Sequence, residues 1–233
     1  MGDADLAKSA VLQTLNDQAT HILRERIITG ELAPGSRILE IELAEELGIS
    51  RGTLRTALQQ LVFEGLLVQR RFKSTYVTAL TARDAYEVYT LRNALEAMAT
   101  RIVASQPGDR VRSEVKKPID AMRHAADSKN RPGVVEADFA FHRCILQLSG
   151  HSRLQAAYST IEAQTRLFLR VTATLDYNLT MILQVHQDLA DAIIAGDVGR
   201  AEALAREHNT SDGEKMARML QQAEAAAQDQ RSA

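Results

Sequence analysis

The chain has 233 residues, a formal net charge of −2, 45% hydrophobic residues, 4% aromatic residues and no tryptophan. This balance excludes a generally basic, histone-like binder, and the scarcity of aromatics argues against stacking platforms for single-stranded nucleic acid, so DNA affinity is expected from local charge on a duplex. The apolar content suffices for two buried cores, in domains of about 75 and about 150 residues.

The single cysteine, Cys144, excludes an internal disulfide and a thiolate metal cluster; its place in an apolar helical run predicts a buried structural thiol. The start MGDADLAKSA has no basic segment followed by an apolar run. No stretch reaches the roughly eighteen apolar residues of a membrane span. The expectation is a cytoplasmic protein without membrane contact.

In chain order, the first ten or so residues have little to pack and are expected to fray. Residues from about Glu40 to Leu47 place Leu43, Ala44 and Leu47 on one helical face and Glu42, Glu45 and Glu46 outside it. Gly48 ends this helix with a tight turn. Ser50 is placed to cap a second helix, from Arg51 to about Glu64, whose inward series is Leu54, Ala57, Leu58, Leu61 and Val62. Arg51, Thr53, Arg55 and Gln59 are left for the outside or the helix start. A second helix of this kind lies in the major groove with its N-terminal residues at the base edges. There arginine can bond a guanine edge, threonine can meet a thymine methyl, and the helix start favours a phosphate.

After Gly65, Leu66–Arg70 and Ser74–Leu80 have strand-like composition, and Arg71-Phe72-Lys73 makes a basic tip between them. Between Arg51 and Lys73, five basic residues (Arg51, Arg55, Arg70, Arg71, Lys73) face one acid, Glu64. That local excess is a phosphate-binding footprint.

The segment RERIITGELAPGSRILEIELAEELGISRGTLRTALQQLVFEGLLVQRRFKSTYV resembles the winged DNA-binding domain of the GntR family along its length. The resemblance lies in Ile27 and Gly30 before Pro34-Gly35, Leu43-Ala44, Ser50-Arg51, Arg55-x-Ala57-Leu58 and Glu64-Gly65-Leu66. It departs at the wing tip, where Lys73-Ser74 replaces a usual glycine, and at Gly52-Thr53, where Thr-Pro is common. A DNA-binding domain is expected over 11–79, with Arg37, Ser50, Arg51, Gly52, Thr53, Arg55, Arg71, Lys73, Ser74 and Thr75 toward a double-stranded operator.

From Ala85 onward apolar positions recur at helical spacing, beginning Val88, Leu91, Leu95, Met98, Ile102. Similar runs fill Val111 to Ala126, Val134 to Leu148, Leu154 to Thr174, Leu179 to Ala195 and Val198 to Met219, with breaks at Pro107-Gly108, Arg131-Pro132-Gly133, Ser149-Gly150 and Gly196-Asp197. About six helices and no sheet are expected in a second domain over 80–222, with a fraying tail from about Gln221. The fold class is mainly α: a winged helix-turn-helix followed by an all-α bundle.

Within this half Asp138 and His142 stand four residues apart, one helical turn. His186 and His208 are each eleven residues from Asp197. A helix pair turning at Gly196-Asp197 would bring both to one height, roughly 16 Å from the turn. These residues could converge on one ion, or be scattered histidines of surface and core. Their order, with Arg92-Asn93-Ala94-Leu95-Glu96 ahead of them, resembles the FCD-type C-terminal domain of the FadR subfamily over about Thr81 to Leu220. Six helices suit its VanR-like branch.

The resemblance implies that Asp138, His142, His186 and His208 hold a divalent metal, zinc first, nickel or manganese otherwise. It also implies a homodimer on a palindromic operator and a small carboxylic or sugar acid as effector. Arg92 reads either as an intrahelical partner of Glu96 or as an effector clamp, with Arg143 and Arg170 as weaker candidates for the same role. His151 reads as a surface residue or as a group supporting the metal ligands, the surface being favoured; His21 and His124 have no companions. The reading is a ligand-responsive regulator, a repressor rather than an enzyme. The alternatives are a sensor of the ion itself and a metal-dependent hydrolase.

Overall fold

The computed structural model describes residues 3–70, 74–173 and 178–232. The chain divides into two compact units, Met1–Ala79 with Glu162–Leu167, and Leu80–Ile161 with Phe168–Ala233.

The first unit holds helices α1 (Asp3–Ile28), α2 (Glu40–Glu46) and α3 (Arg51–Phe63), then strands β1 (Leu67–Arg70) and β2 (Ser74–Val77). Ala19, Leu23 and Ile27 of α1, four residues apart, are buried together with Leu54, Ala57, Leu58 and Leu61 of α3 and Leu43 and Ala44 of α2. Burying this apolar set drives the three helices together. Gly48 takes φ 64°, the left-handed conformation that a β-carbon disfavours, and so permits the short α2–α3 turn. The strands pair antiparallel from Leu67↔Val77 to Arg70↔Ser74. The backbone before α2 joins them: the Ile38 N–H donates to Thr75 O at 2.9 Å and the Val77 N–H to Ser36 O at 2.9 Å.

The second unit holds, among the described residues, seven helices: α4 (Ala82–Ala104), α5 (Asp109–Asp127), α6 (Arg131–Leu148), α7 (Ser152–Ser159), α8 (Glu162–Ala173), α9 (Leu179–Ala195) and α10 (Val198–Ser232), α8 being divided between the units. The expected single run from Leu154 to Thr174 is interrupted at Thr160 and Ile161, where the Ile161 N–H closes a short turn to Tyr158 O at 3.0 Å. This gives one helix more than six. The ends are also helical where fraying was expected, from Asp3 and to Ser232. The tail sequence AEAAAQDQ is rich in strong helix formers, and its Glu224 Oε1 accepts from the Ala82 N–H at 2.9 Å, which together favour continued winding.

α10 packs along α4, α5 along α6, and α9 against α5 and α10. Ala85, Tyr89, Phe141, Phe168, Leu189 and Ile193 are central to the core they share. A Thr81/Asp84 capping box starts α4, satisfying two otherwise orphaned donors. Gly196 ends α9 at φ 72°, so that α10 turns back beside it.

Candidate functional site

On the first unit, α3 presents Arg51, Gly52, Arg55, Thr56 and Gln59 on its exposed side. Thr53 does not join them. It is 7% exposed, its N–H donates to Ser50 Oγ at 3.0 Å, and the two hydroxyls lie 2.9 Å apart. Both side chains therefore close the first turn of the helix, which corrects the exposed role expected for Thr53. Thr56, not expected there from the sequence, lies one turn beyond Gly52 and takes the place of Thr53 on the exposed face; its four-residue spacing from Gly52 was the available signal. Arg55 is exposed and its Nε lies 2.9 Å from Glu40 Oε2.

Thr75 is 2% exposed and turned into the packed side of the hairpin, so its side chain is not available to DNA; neighbouring Ser74 is half-buried. The period of two along a strand puts only one of these adjacent residues outside. Arg37 is exposed and bridges Tyr76 through its backbone. Arg70 lies over the Tyr76 ring, 4.8 Å from its centroid. Arg71 and Lys73 lie outside the described residues. Glu64, the one acid in this basic segment, is buried and accepts from Arg24 Nη2 and Nε at 2.7 and 2.8 Å. Its charge is thereby removed from the exposed basic face.

In the second unit α6, α9 and α10 bring His142, His186 and His208 together, all three buried. His142 Nε2 is 3.2 Å from His208 Nε2 and 3.3 Å from His186 Nε2. The outer nitrogens fix the tautomers. His186 Nδ1 donates to Ile182 O at 2.8 Å, and His142 Nδ1 donates to Glu96 Oε2 at 2.8 Å. In the neutral rings the facing Nε2 atoms of His142 and His186 then carry only lone pairs, which repel unless a cation lies among them. Nitrogens bound at about 2.0–2.1 Å to one tetrahedral ion stand about 3.3 Å apart. The cluster therefore fits a divalent metal by spacing and by donor chemistry.

Asp138 flanks it, with Oδ1 3.4 Å from His142 Nε2 and Oδ2 3.6 Å from His186 Nε2. Burial alone would raise its carboxyl, but His186 and His142 carry it well below the usual carboxylate range. Burial likewise opposes a charged His186, yet Asp138 raises it above the ordinary imidazole value. Burial and the two other imidazoles push His208 well below that value. Asp138 thus favours positive charge on His186, whose proximity disfavours it on His208.

Glu96 orients His142 and is itself held by Arg92 Nε at 2.7 Å and Asn209 Nδ2 at 2.9 Å. Burial raises the Glu96 carboxyl, while Arg92 and His142 outweigh that and lower it. Neither Glu96 nor Asn209 was singled out as part of the site. Glu96 could have been found from its one-turn spacing to Arg92, whereas Asn209 comes from a distant helix. Arg92 is fully buried, so the weak surface-pair reading does not apply to it. Its Nη1 and Nη2 have no hydrogen-bond partner among the described residues.

A cavity of about 90 Å³ opens on the cluster, lined by Asp138, His186, His208 and Asp212, by Lys215 and Asn178, and by the apolar Leu169, Met181, Ile182 and Val185. Arg92 and Arg143 are not among its walls. Arg143, next to His142 in sequence, falls on the exposed side of α6, because adjacent helical residues point about 100° apart. His151 caps α7, its Nδ1 accepting from Leu154 N–H at 3.2 Å, and is half-buried. Cys144 is also half-buried, with Sγ 3.5 Å from Glu114 O.

A winged helix-turn-helix in one chain with an all-helical unit that encloses a three-histidine cluster and a small cavity defines a DNA-binding regulator with a ligand-responsive domain. The model of bacterial regulatory proteins of the gntR family matches residues 15–77 and that of the FCD domain matches residues 87–211. The chain belongs to the GntR-family transcriptional regulators that carry an FCD domain. It is a regulatory, non-catalytic protein, with a DNA operator and a small-molecule effector as its partners.

It is 28% identical over 202 residues to a "Probable D-xylose utilization operon transcriptional repressor" of Paenarthrobacter nicotinovorans, covering 87% of this chain and 88% of that protein. It is 25% identical over 213 residues to the HTH-type transcriptional repressor RspR of Escherichia coli, covering 90% and 92%. A crystal structure of a GntR transcriptional regulator from Rhodococcus sp. RHA1 superposes with a TM-score of 0.74 at 25% identity, covering 86% of this chain and 96% of that one. Among the described residues no helix is long and apolar enough to cross a membrane.

Proposed function

We propose that this protein is a repressor of the FadR subfamily, VanR-like branch, that senses a small organic acid through a divalent metal, zinc in the first place. The observation that carries this is the set of three buried imidazoles whose Nε2 atoms converge, His142 Nε2 lying 3.2 Å from His208 Nε2 and 3.3 Å from His186 Nε2, while the Nδ1 atoms of His142 and His186 are already engaged. Asp138, His142, His186 and His208 would hold the ion, which when bound supplies a charged anchor for a carboxylate. Glu96 fixes the tautomer and direction of His142, and Ile182 O does the same for His186. The branch assignment rests on the order of these residues alone, since the bundle has, among the described residues, one helix more than the six that suit this branch.

Residues 80–222 act as the sensor and residues 11–79 as the reader of DNA. Lys215 and Asn178 are polar groups in the cavity wall where an acid would lie. Arg92 does not line the cavity, and its part in the reading is to hold Glu96 and through it His142; its Nη1 and Nη2 have no acceptor among the described residues. Arg51, Arg55, Thr56 and Gln59 face the operator from α3, with Arg37 and the wing, including Arg71, Lys73 and Ser74, on the phosphates. Two copies are expected on a palindrome, their recognition helices about one helical turn apart.

The names of two relatives, both repressors, favour repression over activation. The test is thermal stability against a panel of small carboxylic and sugar acids, with metal-loaded and chelator-stripped protein. A shift by an acid that requires metal supports the reading. A response to metal alone turns it toward a sensor of the ion, and an acid response indifferent to metal removes the ion from sensing.

A further inference from the structure

We propose that Asp212 is a displaceable ligand of the metal centre, occupying the cavity-side position until the carboxylate of an effector acid takes it. This rests on the metal-dependent reading above. α10 places Asp212 one turn beyond His208, with Oδ2 3.7 Å from His208 Nε2. The relation repeats, in the opposite chain direction, that of Asp138 to His142 one turn apart on α6. The imidazole cluster is thus flanked by two carboxylates, Asp138 beside His142 and His186, and Asp212 beside His208.

Their surroundings differ. The Asp138 side chain is 10% exposed and Asp212 is 28% exposed, and both line the cavity. Asp212 also has somewhere to go. Its other oxygen, Oδ1, is 3.7 Å from Lys215 Nζ, on the same cavity wall. A rotation of one side chain exchanges a position beside His208 for a partially exposed ion pair with Lys215.

Charge explains why the exchange would accompany effector binding. Neutral imidazoles and Asp138 leave one positive charge on a divalent ion, and Asp212 cancels it. An acid entering beside both carboxylates would press a third anion against an ion whose charge the first two already cancel, and like charges repel strongly in a partly buried cavity. Departure of Asp212 toward Lys215 keeps the centre neutral. The effector therefore competes with a carboxylate of the protein itself, and acids that bring a second donor, such as 2-hydroxy and 2-oxo acids, compete better than simple monocarboxylates. The apolar wall of Leu169, Met181, Ile182 and Val185 limits their far end to a short hydrocarbon.

The experiment uses full-length protein, Co²⁺ as the metal probe and glycolate as the acid, with Asp212→Asn and Asp212→Glu beside the wild type. Asp212→Asn should bind Co²⁺ about tenfold more weakly. Its Co²⁺-loaded form should bind glycolate about tenfold more tightly, because the competing carboxylate is gone. Asp212→Glu should lie between the two on both scales. The melting temperature in chelator should be unchanged in both variants, which separates loss of a ligand from loss of fold. If wild type and Asp212→Asn bind Co²⁺ and glycolate within twofold of each other, or if glycolate does not bind Co²⁺-loaded Asp212→Asn, the proposal is overturned while the metal site stands. If the wild type binds no Co²⁺, the metal-dependent reading falls and takes this proposal with it.

Discussion

Two neighbouring residues at the start of α3 carry different tasks. Ser50 and Thr53 spend their side chains on the helix cap, whereas Arg51 between them is exposed. Ser50→Ala should therefore lower the unfolding free energy of the domain by about 1 kcal/mol, read from urea denaturation. Arg51→Ala should leave stability within about 0.5 kcal/mol but weaken operator binding by about 1–3 kcal/mol. An equal stability loss in both variants would refute this division of roles. Cys144 gives a pH-dependent prediction. Burial first, and the Glu114 carboxylate second, raise its thiol above the ordinary value, so at a given pH less of it is the reactive thiolate. Alkylation near pH 8 should be slower than that of a free thiol and should accelerate on going to higher pH; a rate matching free thiol would count against it.

At the scale of elements, the α4–α10 pair organises the sensor, and its close contact depends on one glycine. A β-carbon placed at Gly213 would lie 2.7 Å from Tyr89 Cβ, an atom at the base of its side chain that cannot swing aside. Helix propensity would reward alanine there by about 1 kcal/mol. Overpacking of a rigid contact costs about 1–3 kcal/mol. The helices must then part, and a net loss of about 1 kcal/mol is expected for Gly213→Ala, with metal affinity reduced because α10 also carries His208. A more stable variant with unchanged metal binding would show that the helix pair tolerates the shift. The α9–α10 turn has a comparable requirement at Gly196, since it aligns His186 with His208; their ring centroids lie 4.7 Å apart.

For the whole molecule, the chemistry of sensing and of DNA reading belongs to separate units, so regulation requires a coupling free energy between them. Typical couplings of about 1–3 kcal/mol change affinity about 5- to 150-fold. In the proposed function, an effective acid should lower operator affinity by such a factor in metal-loaded protein and leave it unchanged after chelation, as measured by anisotropy of labelled operator at fixed salt. Equal release with and without metal would remove the ion from the signal. His186→Ala should abolish the thermal stabilisation by metal, which reaches about 2.7 kcal/mol at a hundredfold excess over the dissociation constant.

Helix periodicity, the glycine turns and the order of Asp138, His142, His186 and His208 were legible along the chain, because each depends on residues within a few turns of one another or on equal distances from a turn. The amino-acid sequence by itself thus determined the winged helix-turn-helix, the all-helical second unit and the reversal at Gly196-Asp197. Only the tertiary structure decided that the imidazoles meet rather than scatter, that Thr53 and Thr75 face inward, that Arg143 points away from the cluster, that Arg92 is buried against Glu96, and that Asn209 of α10 reaches Glu96 of α4. Those outcomes depend on which neighbouring element covers a given face, and on contacts between helices far apart in the chain, where local spacing carries no information.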